Sequence, residues 1–202
     1  MPLCFGPTVF PVVRGDRIPV WERRAKTIDI RKTIWSFITT LKTVWGTPAR
    51  FFADMTVSGD YQEPLLFLTI CYFIGGILSA ETGGKIVDLI GFPVLGILSA
   101  IIASSIMNYI QGRFFEAGGS FEGVFRIVSY GSSVILFTFI PHIRTIAALY
   151  GLYLILTGMK ELLRMTTGKA FVTILFTFLA MNLIRFLIPW IITSSPFGLF
   201  IG

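Results

Sequence analysis

Asn182 and Arg185 are the strongly polar side chains that fall well inside a long apolar run of this 202-residue chain. A spacing of three puts them on one face of a helix. Ionisable groups inside a membrane span are costly and persist where they coordinate a solute, relay a proton or pair with a partner, so this pair is where transport chemistry would be sought. The competing reading is that Arg185 snorkels toward the outer interface past Pro189, and the lack of Asp or Glu deep inside the apolar runs favours it. His142 is the one histidine, beside Pro141, with no neighbouring nucleophile or second metal ligand. Cys4 and Cys71 are too far apart to suggest a disulfide and show no metal spacing. Cys4 also follows only three residues, too few for a lipoprotein signal. No phosphate-binding loop, dinucleotide fingerprint, HExxH or GxSxG is present. The sequence therefore offers no catalytic residue, no metal site and no cofactor.

The elements that would position the polar pair follow from composition. Hydrophobic residues make up 54% and charged ones 14%, with a mean hydropathy of +0.78, far from the balance of a water-soluble domain. Apolar residues come in blocks, as expected of helices surrounded by lipid. Five spans are expected: about 64–80, 86–109, 127–140, 143–159 and 171–192. The third and fourth meet at Pro141-His142 and form a hairpin set off by Gly118-Gly119-Ser120 and Thr166-Thr167-Gly168. Nine Lys and Arg precede the first span, and Arg113, Arg126, Lys160, Arg164 and Lys169 fall between spans two and three or four and five; the opposite loops hold Lys85 and Arg144. The positive-inside rule then puts the N-terminus in the cytoplasm and the C-terminus outside. Topology and lipid contact account for the net charge of +6, which gives nucleic-acid binding no support.

Packing signals are local. Gly96, Ala100 and Ser104 recur every four residues on the second span, and Gly75, Gly76, Ser79 and Ala80 give the first span a small face, so these two helices are expected to approach closely. Residues 1–27, with Pro2, Pro7, Pro11 and Pro19 among bulky apolar residues, read as an extended arm. Residues 28–63 read as amphipathic helices: Ile30, Ile34, Phe37, Leu41 and Val44 form a stripe, while Trp35 and Trp45 with basic neighbours suit a helix lying in the headgroup layer. The alternative is that the stripe packs on protein. A five-helix domain over 64–193 and a tail over 194–202 complete the expected organisation.

Three stretches carry a resemblance to a known family. They are Pro48-Ala49-Arg50-Phe51-Phe52 with Asp60-Tyr61-Gln62-Glu63-Pro64; Gly118-Gly119-Ser120-Phe121 leading to Ser129-Tyr130-Gly131; and Leu149-Tyr150-Gly151-Leu152-Tyr153 with Gly158, Lys160-Glu161 and Thr167-Gly168-Lys169-Ala170. In order and spacing they resemble the prokaryotic branch of the Yip domain family, named for Ypt/Rab-interacting proteins, over about 47–177. The resemblance implies an all-α bundle of five transmembrane helices with a cytoplasmic N-terminus. It implies no chemistry at any residue, and the leader here does not look like the acidic, tyrosine- and proline-rich leaders of the Rab-linked eukaryotic relatives. The function expected is a non-enzymatic scaffold or accessory subunit in a prokaryotic cytoplasmic membrane, in contact with the lipid bilayer and with other membrane subunits or copies of itself. A small-molecule or ion translocator and a lipid-organising protein are the alternatives.

Overall fold

A computed structural model describes residues 30–57, 59–81, 88–115, 119–138, 140 and 142–194. The proline-containing arm and residues 195–202 of the expected tail lie outside the described residues, as do Lys85 and Pro141; Ser194 ends the last helix. The chain divides into two units at Ser36. The first is described only as the start of one helix, and the contacts given below belong to the second.

All regular structure among the described residues is helical. The helices are α1 (Ile30–Gly46), α2 (Pro48–Ala53), α3 (Gln62–Glu81), α4 (Asp88–Phe114), α5 (Phe121–Gly131), α6 (Arg144–Glu161) and α7 (Thr167–Ser194), with a 3-10 helix, Ser132–Phe137, continuing α5. Pro48 takes the first helical position of α2, where its missing N–H costs nothing. Ser120 caps α5, its Oγ accepting from Gly123 N–H at 3.1 Å. At the end of α6 the chain turns through Arg164 in the left-handed region (φ 52°), and Met165 N–H reaches back to Met159 O at 3.3 Å.

Helices α3, α4 and α5 pack against one another; α6 and α7 close the bundle by packing on α5 and α4, and α2 lies along α6. Leu68, Cys71, Ala100, Val124, Ile127, Leu154, Met159 and Ala170 form its core. Outside that core the surface is apolar: Val94, Leu95, Leu98, Leu175, Phe176, Phe178 and Phe186 are all exposed. Such a shell is unfavourable in water and suits lipid. Three buried hydroxyls are satisfied within their own helices, Ser104 Oγ donating to Ala100 O (2.7 Å), Thr173 Oγ1 to Lys169 O (2.9 Å) and Thr177 Oγ1 to Thr173 O (2.8 Å).

Among the described residues two helices, Ile90–Phe114 and Thr167–Leu187, are long and apolar enough to cross a membrane, and the apolar part of α3, Gln62–Leu78, is shorter. The expected hairpin differs in detail. Its first arm begins at Phe121, before the apolar run, and tightens to 3-10 geometry after Gly131. Because a 3-10 helix rises about 2.0 Å per residue against 1.5 Å, the stretch 121–137 still rises about 28 Å.

Candidate functional site

One line of α5 organises the end of the bundle where α3 starts and α6 finishes. Ser120, Glu122 and Arg126 reach across to the loop that joins α2 to α3. The Ser120 hydroxyl donates to Val57 O (3.1 Å). The Glu122 carboxylate, in the first turn where an acid suits the helix dipole, accepts from Gly59 N–H (3.2 Å) and from the Tyr61 hydroxyl (3.1 Å). Arg126, four residues on and so on the same face, donates through Nη1 to Thr56 O (3.1 Å) and Thr56 Oγ1 (3.3 Å) and through Nη2 to Asp60 O (3.1 Å). A Cβ at position 59 would collide with this guanidinium, so a side chain there would have to displace Arg126 from Thr56 and Asp60. Partial loss of solvent, followed by the hydrogen bond and the charge of Glu122, holds the Tyr61 phenol above its ordinary range.

Beside this polar clamp, α2 is held by rings. Phe51 meets Tyr130 edge-on at 5.1 Å between ring centroids. Phe52 is fully buried over Gly158 and Ile127, whose side-chain atoms would lie within 2.8–3.2 Å of a Cβ at position 158, so glycine is what allows α2 and α5 to meet on α6. The corner between α1 and α2 penetrates further. Trp45 Nε1 donates to the buried Ser133 Oγ (3.0 Å), its ring lies 4.5 Å from that of Phe137, and its carbonyl accepts from the Tyr150 hydroxyl (2.6 Å). Counting rise from Phe121 along α5 and from Glu161 along α6, Ser133 and Tyr150 lie about 19 and 16 Å from the clamped end. The α1–α2 corner thus dips into the bundle.

Between α1, α2, α3 and α5 lies a cavity of about 340 Å³. Arg50, Asp54, Glu63 and Arg126 supply its charges, and Thr40, Thr43, Phe51, Met55 and Tyr130 its remaining walls. Arg50 and Asp54 face each other at 3.7 Å with both side chains exposed.

The residues singled out from sequence fall into three groups. Gly75, Gly76, Gly96, Ala100 and Ser104 are buried, and a Cβ on Gly96 of α4 would collide with the Tyr72 ring of α3; the side chain of Ser79 lies outside the described set. In α1, Phe37, Leu41 and Trp45 pack on the bundle core and Val44 is fully buried, whereas Ile34 and Trp35 are 52% and 68% exposed; the side chain of Ile30 lies outside the described set. A helix lying wholly in the headgroup layer would leave the whole stripe to lipid. From Phe37 onward the stripe faces protein instead, because the Phe67 ring meets Phe37 at a tilt, 5.1 Å between centroids, and Ser133, Phe137 and Tyr150 receive Trp45. Asn182 and Arg185 are both exposed and are not brought to the clamp. The Asn182 amide donates to Phe178 O of its own helix (2.8 Å), and Arg185 sits about 27 Å along α7 from its start.

Sequence reasoning missed Glu122 and Arg126 as a pair. The signal available was an acid and a base four apart, directly after a capping serine, in a stretch otherwise apolar. It also missed Gln111, whose amide oxygen and nitrogen are buried without a partner beside Gly119, and Ser129, whose hydroxyl is likewise unpartnered.

The clamp, the Phe52–Gly158 junction and the Trp45 corner draw on all three stretches that carry the family resemblance. No curated protein and no solved structure matches the chain. The family model of the Yip1 domain matches residues 42–199, taking in α2 to α7 and the whole clamp, and the chain is a membrane protein belonging to the Yip1 domain family.

Proposed function

We propose that this protein is a non-enzymatic five-span scaffold, or accessory subunit of a larger assembly, in a prokaryotic cytoplasmic membrane. The observation that carries this reading is the use to which residues of the motif stretches and their neighbours are put. Ser120, Glu122, Arg126, Phe52, Gly158, Trp45 and Tyr150 hold α2 and the following loop in a fixed shape. A rigid, polar-capped end presented to one side of a membrane serves recognition by other subunits or by copies of the same chain.

In this reading the spans are α3, α4, α5 with its 3-10 extension, α6 and α7. The shortest, α6, rises about 27 Å, close to the hydrocarbon thickness of roughly 30 Å. Charge distribution supports a cytoplasmic N-terminus and an outer C-terminus. Residues 1–27 act as an arm, 28–63 as the cytoplasmic-side cap, 64–193 as the membrane domain and 194–202 as a tail. Exposed Ile34 and Trp35 rest in the headgroup layer, Arg185 snorkels to the outer interface, and the small faces of α3 and α4 serve packing.

Purification of the full chain in mild detergent, with mass-spectrometric identification of what accompanies it, tests the reading. A stoichiometric membrane protein, or a defined homo-oligomer, is expected, and it should survive Arg185→Leu. Solute flux in proteoliposomes that vanishes with Arg185→Leu while assembly persists would overturn the scaffold in favour of a translocator.

A further inference from the structure

We propose that the cavity between α1, α2, α3 and α5 binds the headgroup of a phospholipid that carries both a phosphodiester and a primary ammonium, the chemistry of phosphatidylethanolamine. The inference rests on the five-span placement but not on the scaffold role.

The charges of the cavity are what select the ligand. Arg126 spends Nη1 and one Nη2 hydrogen on the loop, and a guanidinium has five donors in a rigid fork, so Nε and a second Nη2 hydrogen remain. Among the described residues Arg50 meets Asp54 alone, at a loose 3.7 Å with its side chain exposed, and can swing onto an anion. Among the described residues Glu63 finds neither a hydrogen bond nor an ion pair, although it lines the same cavity as the two arginines. A plain anion would be drawn to Arg50 and Arg126 but repelled by Asp54 and Glu63, and a plain cation would meet the reverse. A ligand with one phosphate and one ammonium satisfies both pairs at once. The ammonium must carry N–H donors to use the carboxylates, which separates ethanolamine from choline.

Shape and position point to a lipid rather than a soluble zwitterion. The volume of about 340 Å³ lies at the small end of ligand sites, suited to a headgroup and not to a whole lipid. Phe51, Met55 and Tyr130 give it an apolar side, while Thr40 and Thr43 line the wall supplied by α1. That wall descends with the α1–α2 corner, which reaches side chains about 16–19 Å into the bundle. A headgroup can therefore enter from the cytoplasmic leaflet with its acyl chains still in lipid.

The test uses the full chain, reconstituted in nanodiscs with equal amounts of phosphatidylethanolamine, phosphatidylcholine and phosphatidylglycerol, then released for native mass spectrometry of retained lipid. The expected result is retention of phosphatidylethanolamine over the other two on the order of tenfold, the value of one charge-assisted hydrogen bond. Asp54→Asn with Glu63→Gln should erase the preference over phosphatidylcholine, and Arg50→Gln should lower retention of all three; these side chains lie at the cavity and outside the core, so the fold is kept. Equal retention of the three lipids, or a preference that survives the double variant, overturns the proposal. In phosphatidylcholine nanodiscs, free phosphoethanolamine at millimolar concentration should give no thermal shift. A shift as large as the lipid's would make the site one for a soluble zwitterion and overturn the lipid assignment. Placement is checked separately in a Cys4→Ser background: Arg50→Cys should react with a membrane-impermeant maleimide from the cytoplasmic side only. Reaction from the other side refutes the topology, whereas correct reaction without lipid preference refutes the site alone.

Discussion

Three glycines of α4 make an internal experiment on helix packing. Gly91 and Gly112 have nothing within 4 Å of where a Cβ would stand, whereas a Cβ at Gly96 would fall against three atoms of the Tyr72 ring. Alanine raises helix propensity over glycine by roughly 0.5–1 kcal/mol, so Gly91→Ala and Gly112→Ala should be stabilising by up to that amount. At Gly96 the same gain is opposed by overpacking, typically 1–3 kcal/mol, because an aromatic ring cannot yield as the tip of a flexible side chain does. The net expectation is a loss of about 0.5–2 kcal/mol, and a spread of about 1–3 kcal/mol between Gly96→Ala and its two neighbours on the same helix. Cys71 supplies the readout: it is fully buried on α3 and becomes available to a thiol-reactive fluorophore only when the bundle opens. Melting curves in one detergent, on a Cys4→Ser background, should place Gly96→Ala below the parent and the other two at or above it. Tyr72→Leu should bring Gly96→Ala back toward its own background. If Gly96→Ala melts with Gly91→Ala, then α3 and α4 do not meet through this glycine and the account of their packing fails.

Other expectations follow from the same geometry. Arg126→Gln removes the charged donor that holds Thr56 and Asp60 and should cost about 1–2 kcal/mol after allowance for solvent, seen as faster proteolysis within 54–61 while the helical content by circular dichroism stays unchanged. Gln111→Met replaces two unpartnered buried polar atoms with an apolar chain of similar length and should raise stability by about 1–3 kcal/mol in the same melting assay; a fall would mean the amide is satisfied by bound water or a ligand. Ser133→Ala should cost about 1 kcal/mol through loss of the Trp45 bond, and Trp45→Phe on that background should cost little more, since the indole N–H has already lost its acceptor. Ile34→Asp with Trp35→Asp should weaken binding of the isolated 28–46 segment to anionic vesicles; unchanged binding would refute a headgroup-layer role for these two side chains.

Much of the helical plan was legible because lipid writes it in composition. The all-apolar blocks of α4 and α7 announce themselves without periodicity, and the family pattern pointed to the right stretches. The 3-10 segment was not legible: Ser132–Phe137 reads as plain apolar chain, and its tightening goes with the hydrogen bond that Ser133 accepts from Trp45 and the ring contact that Phe137 makes with it, far away in sequence. The fate of the α1 stripe was ambiguous for a related reason. An amphipathic face is the same pattern whether lipid or protein covers it, and only the partners of Phe37, Leu41 and Trp45 tell the two apart. The clamp escaped notice because half of its acceptors are backbone carbonyls and one of its donors is a backbone N–H, which no side-chain motif records. Asn182 and Arg185 stood out in the sequence for being polar among apolar neighbours, yet the structure gives Asn182 a bond within its own turn and leaves Arg185 at the surface.

The corner at Trp45 also sets a timetable. Its hydrogen-bond partners, Ser133 and Tyr150, lie 88 and 105 residues downstream. At about 5–20 residues per second of synthesis, the ribosome needs roughly 5–20 seconds after making Trp45 to deliver Tyr150. During that interval α1 exists with its apolar stripe unmatched, and the nearest shelter is the surface of the membrane into which the later helices are being threaded. A helix that ends as a wall of the finished bundle would thus begin as a surface float, and the nascent chain would be tethered at the bilayer before its first span has found a neighbour.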